Sequence, residues 1–276
     1  MLSETHLSIP GLGAGSKQLS AASFSARSGE FKVSIKNGEA DVALVTGGSF
    51  GVRGCVAVFR VSDALSLSPV SEVAEFINAG CEWVKRSGIF RIHTLLERGD
   101  SYLHDAFRAA GFRSPLGERL FIADPGRWIT GKGDPTTPQG IVIRAGGPED
   151  VDAISEKFAQ YPQLAFCPWE RELLRDFSYT DRIFLVAEGQ HGLVGAVVGG
   201  NIGPHATLSH LWADHPSTKG LHVGPSLVTH ALHRFTHLGT SRVHLITNDE
   251  GAGNFWTKLG FEESHDLLFL ERDLEP

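Results

Sequence analysis

Apolar residues recur along this chain in two rhythms. One is a stripe at steps of three and four. It runs Val70, Val73, Ala74, Ile77, Cys81 and Val84 after Pro69, and again Val223, Leu227, Val228, Ala231, Leu232 and Phe235 around Pro225. That spacing predicts two helices, each with one face against a core. A proline fits the first helical turn, where its missing N–H has no intrahelical partner in any case. The other rhythm is the short apolar run of a buried strand. Such runs are 41–46, 55–61, 91–96 and 120–123, then 141–144, 183–188, 193–198, 207–213, 242–246 and 267–270.

The order of these elements repeats. Strand 91–96 is followed by a helix-like segment ending Gly111-Phe112 and then by strand 120–123. Strand 242–246 is followed by a helix-like segment ending Gly260-Phe261 and then by strand 267–270. The offset is about 150 residues, which points to an internal duplication. The stretch 124–140, DPGRWITGKGDPTTPQG, is dense in Gly, Pro and Thr and reads as a linker. The expected fold is α/β (α+β), in two tandem domains over 1–128 and 140–276 joined by 129–139. Each is expected to be a mixed, mostly antiparallel sheet flanked by helices.

Composition narrows the class. With 41% hydrophobic and 21% charged residues, the 276-residue chain can bury a core. A net charge of −7 and a pI near 6.0 are not a nucleic-acid footprint. No apolar run reaches the ~18 residues of a membrane span. The opening MLSETHLSIPGLGAG has no basic region followed by an apolar stretch, so it does not read as a secretory signal. Cys55, Cys81 and Cys167 are odd in number and far apart, which suggests neither disulfides nor a metal site. The expectation is a soluble cytoplasmic protein with reduced thiols, no metal, no nucleic acid and no membrane partner.

One segment joins a strand to a helix through a glycine-containing loop: His215-Pro216-Ser217-Thr218-Lys219-Gly220-Leu221-His222-Val223-Gly224. The first N–H groups of a helix have no internal partners, and the helix dipole favours an anion beside them. A pyrophosphate fits there, and Lys219 adds a positive charge at the rim. Three further features share an order with this loop. They are Ile143-Arg144-Ala145 with 148–154, the pair 186–188 and 193–196 joined through Gly189 and Gly192, and the segment 252–261 ending Gly-Phe. In this order they resemble the GNAT superfamily of acyl-CoA-dependent N-acyltransferases, over about 135 residues, nearly the whole second half.

The resemblance implies acetyl-CoA or another acyl-CoA as co-substrate and a small-molecule amine as acceptor. It assigns the cofactor to Leu211, Trp212 and Ala213 on a splayed strand, to Lys219, Gly220, Leu221, His222, Val223 and Gly224 in the loop, and to Ser226 and Asn254 on the helices. A helix cap is the other role open to Ser226. Two departures stand out. Lys219 and His222 stand where the family's loop has Arg and its first Gly, and Trp256 stands where its last helix often has a thiolate-protonating Tyr. Glycine serves in such a loop by tolerating unusual dihedrals. An amine must lose a proton to attack a thioester. Candidates for the base are His210, Glu188, Asp214 and His215.

The first half has no such loop. Between its strand and helix it reads Ser62-Asp63-Ala64-Leu65-Ser66-Leu67-Ser68-Pro69, without glycine or a basic residue. The resemblance therefore implies a tandem protein with a degenerate N-terminal half. Gly11-Leu12-Gly13-Ala14-Gly15-Ser16 lacks a preceding strand and a Walker lysine and reads as a leader. Cys167, Phe166 and Trp169 fall in the region that shapes the family's acceptor pocket, or simply pack. Three roles stay open. They are an N-acyltransferase using free acyl-CoA, an enzyme that takes its acyl group from an acyl carrier protein or runs another acyl-thioester reaction, and a non-catalytic acyl-CoA-binding or interaction module. An oligomer is open as well.

Overall fold

A computed structural model describes residues 5–7, 17–24, 30–37, 40–50, 54–61, 69–86, 91–114, 119–132, 135–160, 171, 174–175, 182–202, 205–214, 221–247 and 249–274. The chain divides into two units. One comprises 1–49, 54–118 and 265–276; the other comprises 50–53 and 119–264.

The first unit holds a seven-stranded sheet in the order β1 (Thr5–Leu7), β2 (Lys17–Phe24), β3 (Glu30–Asn37), β4 (Ala40–Phe50), β5 (Gly54–Val61), β6 (Arg91–Glu97) and β14 (Leu267–Asp273). Helices α1 (Val70–Arg86) and α2 (Ser101–Ala109) belong to it. The apolar stripe of α1 does its expected work, with Val73, Ala74, Ile77 and Cys81 all buried. Asp100 caps α2 by accepting from the Leu103 N–H at 3.0 Å. Arg272 of β14 donates to the Asn78 side chain and to the Ala110 carbonyl, so the last strand is tied to both helices.

The second unit holds a sheet in the order β13 (Glu262–Glu263), β7 (Arg119–Ala123), β12 (Arg242–Thr247), β11 (His205–Ala213), β10 (Gly192–Ile202), β9 (Arg182–Gly189) and β8 (Val142–Ala145). All its pairings are antiparallel except β11 with β12. A parallel pair needs a crossover, and α5 (Val223–His237) supplies it. Helix α6 (Glu250–Leu259) follows β12; α3 (Pro125–Lys132) and α4 (Pro148–Ala159) precede β8 and β9. Helix α3 occupies the first part of the stretch read above as a linker.

Two cores lie on opposite faces of this sheet. Val223, Leu227, Val228, Ala231, Leu232 and Phe235 of α5 pack with Trp128, Trp256 and Leu259 against Leu185, Val197, Leu208, Val243 and Leu245. Val151, Ile154 and Phe158 of α4 pack against Phe184, Val186, Ala196, Val198 and Trp212.

The strand that follows the last helix of each half pairs in the other half's sheet. Strand β7 follows α2 in sequence yet pairs with β12, from Ala123 opposite Val243 to Arg119 opposite Thr247. Strand β14 follows α6 yet pairs with β6, from Leu267 opposite Glu97 to Asp273 opposite Arg91. The mixed, mostly antiparallel sheet with flanking helices is as expected; the exchange of strands is not visible in the sequence.

Candidate functional site

The central opening of the second unit lies between β11 and β12. Their parallel ladder has three pairs, His205–Arg242, Ala206–Val243 and Thr207–His244. Beyond these β11 continues to Ala213 and β12 to Thr247 without a shared register. On its other side β11 stays paired with β10 as far as Ala213 opposite Gly195. The β12-facing edge of 208–213 is therefore a run of backbone donors and acceptors that a ligand amide can meet.

A bulge shapes the middle of this wall. Val198 pairs with His210 and Gly199 with Leu208, so Ser209 is the extra residue. Its hydroxyl donates to the Val198 carbonyl at 3.1 Å. One inserted residue moves the following side chains to the other face. Ala206 and Leu208 accordingly join the α5-side core, while Trp212 joins the α4-side core and the His210 ring meets Phe158 edge-on at 5.1 Å. Gly199 is required beside the bulge: a Cβ there would lie 2.4 Å from the Thr207 carbonyl oxygen.

The N-terminus of α5 opens at the end of the loop. Its N-cap is His222, in the left-handed conformation with φ 53° and ψ 35°, and the His222 side chain makes no capping bond. Among described residues it alone combines a positive φ with a side chain. Val223 and Gly224 provide first-turn N–H groups, Pro225 has none, and the Ser226 N–H already bonds the His222 carbonyl at 3.0 Å. Ser226 is the fourth helical residue and buried, so it is not the cap. The ring of Phe255 from α6 would lie 3.6 Å from a Cβ on Gly224, so α6 roofs this turn at ordinary contact distance. Leu221 and His222 are exposed. Leu211 and Ala213 are half-buried against the α5-side core, and Asn254 is exposed on α6. Lys219, Gly220 and His215 lie outside the described residues, as do Gly11 to Ser16, Asp63, Phe166, Cys167 and Trp169.

Among the described base candidates, His210 and Glu188 are not brought together. His210 is buried on β11. Glu188 lies opposite Leu193 of β10 and His210 opposite Val198, which on the regular partner strand β9 is four residues (Glu188 to Phe184) or about 13 Å away. Glu188 instead accepts from Arg144 at 3.1 Å. Arg144 also grips Asp150 through two bonds of 2.6 and 2.9 Å, and Asp150 accepts the Gly147 N–H at 2.8 Å at the start of α4. The bond from Arg144 holds the Asp150 carboxyl below its usual range, and these carboxylates strengthen the hold of Arg144 on its proton. Asp214 closes the strand by donating its N–H to the Val194 carbonyl at 2.8 Å. Trp256 faces the core, with edge contacts to Phe255 and Phe261.

Sequence reading passed over one residue. His244 ends the β11–β12 ladder and is buried. Its neighbours Val243 and Leu245 belong to the α5-side core, so by strand alternation His244 faces the α4 side, as His210 does. A polar residue in an apolar strand run was the available signal.

Residues 150–261 match the acetyltransferase (GNAT) family. The second unit holds a GNAT domain. This domain is an acyltransferase of the N-acetyltransferase type. No curated protein sequence matches the chain. Several solved structures share the fold. A GCN5-related N-acetyltransferase from Sphaerobacter thermophilus covers 89% of this chain with 81% of its own at TM-score 0.51 and 14% identity. A tandem GNAT protein from the clavulanic acid biosynthesis pathway, solved without AcCoA, covers 92% with 85% of its own at 0.50 and 14% identity. Saccharomyces cerevisiae N-myristoyltransferase with bound myristoyl-CoA covers 87% with 69% of its own at 0.52 and 13% identity. At such identities the likeness speaks for the GNAT fold alone.

Proposed function

We propose that this GNAT protein transfers an acyl group, acetyl in the first instance, directly from acyl-CoA to a small amine. The observation that carries the reading is the cleft where the β11–β12 ladder stops, with the start of α5, which the His222 side chain does not cap, at its loop end. The residues present fit an acyl-CoA. The open edge of 208–213 would hold the pantetheine amides, and the N–H groups of Val223 and Gly224, with Lys219, would hold the pyrophosphate. When bound, the co-substrate supplies a thioester carbonyl open to attack. The backbone beside the Ser209 bulge would offer the N–H donor that a carbonyl oxygen needs as it becomes negative. His210 would take the proton of the attacking amine. Glu188, held by Arg144, would serve the shape of the sheet edge instead.

The two halves would be tandem GNAT-like domains, the first without a cofactor loop. The repeat of parallel pair, helix and exchanged strand in both units supports this, with β5–α1–β6 answering β11–α5–β12. The free thiol of Cys81 suits the cytoplasm.

Calorimetry with acetyl-CoA tests the reading. Binding by the parent that weakens at least tenfold in Lys219→Ala would support it. No binding by the parent, restored in His222→Gly, would mean that the loop is closed to free CoA, which leaves a carrier-bound acyl donor or a non-catalytic role.

A further inference from the structure

We propose that His244 is a second proton-accepting residue of this site, facing the acceptor amine across the cleft from His210. The inference rests on the acyltransferase reading above. Three features of the sheet carry it. His244 lies in the last paired position before β11 and β12 part, so it marks the apex of the cleft on the β12 wall. The Ser209 bulge turns His210, on the β11 wall, away from the α5 side. The α5-side placement of Val243 and Leu245 turns His244 the same way. Both imidazoles are thus buried on one face, one on each wall, and the other residues described as buried in these two strands are all apolar.

The spacing suits a ligand between them. Because Ser209 is an extra residue, His210 lies only two ladder positions beyond Thr207, the partner of His244, which is about 7 Å of strand. That leaves room for an acceptor group between the rings. The chemistry has use for two bases. An alkylammonium acceptor loses one proton to expose its lone pair and a second after the C–N bond has formed. The C–S bond breaks with its electron pair on sulfur, the thiolate takes up one of these protons, and the other reaches solvent. Neutral imidazoles on two walls can accept the two protons in turn.

The full chain labelled with 15N at histidine and backbone amides tests this, with acetyl-CoA and adenosine 3′,5′-bisphosphate as probes. The expected result is that both probes move the Val223 and Gly224 amide signals, while acetyl-CoA alone moves the ring signals of His210 and His244. Ring signals are assigned through bonds, so no variant has to fold. If acetyl-CoA moves the α5 amides and the His210 ring but leaves His244 unchanged, His244 is a packing residue and the proposal fails while the acyltransferase reading stands. If neither probe moves any of these signals, both fail.

Discussion

The indole N–H of Trp128 donates to the backbone carbonyl of Leu259, joining α3 to the last turn of α6. Trp128 is buried, and its ring sits 3.5 Å from where a Cβ on Gly260 would be. Gly260 ends α6 in the left-handed conformation at φ 93°. Trp128→Phe keeps much of the apolar area but strands a buried acceptor, so it should cost about 1–3 kcal/mol. Denaturant unfolding of the two proteins measures this; no change in the midpoint would mean that the bond contributes nothing.

The same contact sets where the GNAT unit can be cut. A chain starting at Gly140 lacks β7 and Trp128, leaving β12 with an open edge and β13 without its partner. It should show no cooperative thermal unfolding, whereas 119–264 should. A sharp transition in the shorter piece would contradict this.

His222 holds a conformation that costs a side chain about 1–2 kcal/mol, against roughly 0.5–1 kcal/mol of extra backbone entropy lost by glycine. His222→Gly should therefore raise stability by up to about 1 kcal/mol, or a thermal midpoint by about 2–4 °C. A fall of that size would show that the imidazole makes a compensating contact.

Gly199→Ala should behave in the opposite way. The added methyl meets a backbone oxygen that cannot rotate aside, so the bulge must shift at a cost of about 1–3 kcal/mol. If the bulge positions His210, acetyl transfer should fall by more than the loss of folded protein explains. Activity per folded molecule that matches the parent would separate the bulge from the chemistry.

Asp150 makes stability depend on pH. Its folded pKa lies below the ordinary value of about 4, so its contribution is complete above that value and is lost as pH falls through the lower, folded one. Asp150→Asn should cost about 2 kcal/mol at pH 7, less than a fully buried pair because Arg144 is partly exposed. The difference from the parent should shrink below pH 4. An undiminished difference at pH 3 would exclude the ion pair as its cause.

Cys81 is buried at the α1 face, and burial pushes its thiol up to about 12. In a Cys55→Ser, Cys167→Ser background it should resist maleimide at pH 7.5 and react only on unfolding. Labelling of the native protein within minutes would show that α1 opens readily.

The sequence revealed the elements more readily than their partners. The stripe of α5 and the apolar runs of β9 to β12 are local patterns, and each falls where periodicity puts it. Strands β7 and β14 were visible as apolar runs too. Nothing in Leu120 or Leu270 tells which sheet it joins, because both sheets offer an apolar, parallel-paired edge strand. The loop showed a similar division. A histidine where glycine is expected flagged the left-handed residue, while the core-facing ring of Trp256 and the shared face of His210 and His244 depend on register and on a bulge. A bulge leaves only a serine as its mark.

The exchange of β7 and β14 also governs how this protein is made. A ribosome finishes β6 early, but the strand that completes that sheet lies at the end of the chain. At ordinary rates of synthesis the interval is on the order of 10–30 s. For that time the nascent N-terminal half presents an unpaired edge. A premature stop after Ser264 would leave the GNAT unit whole and injure the half made first.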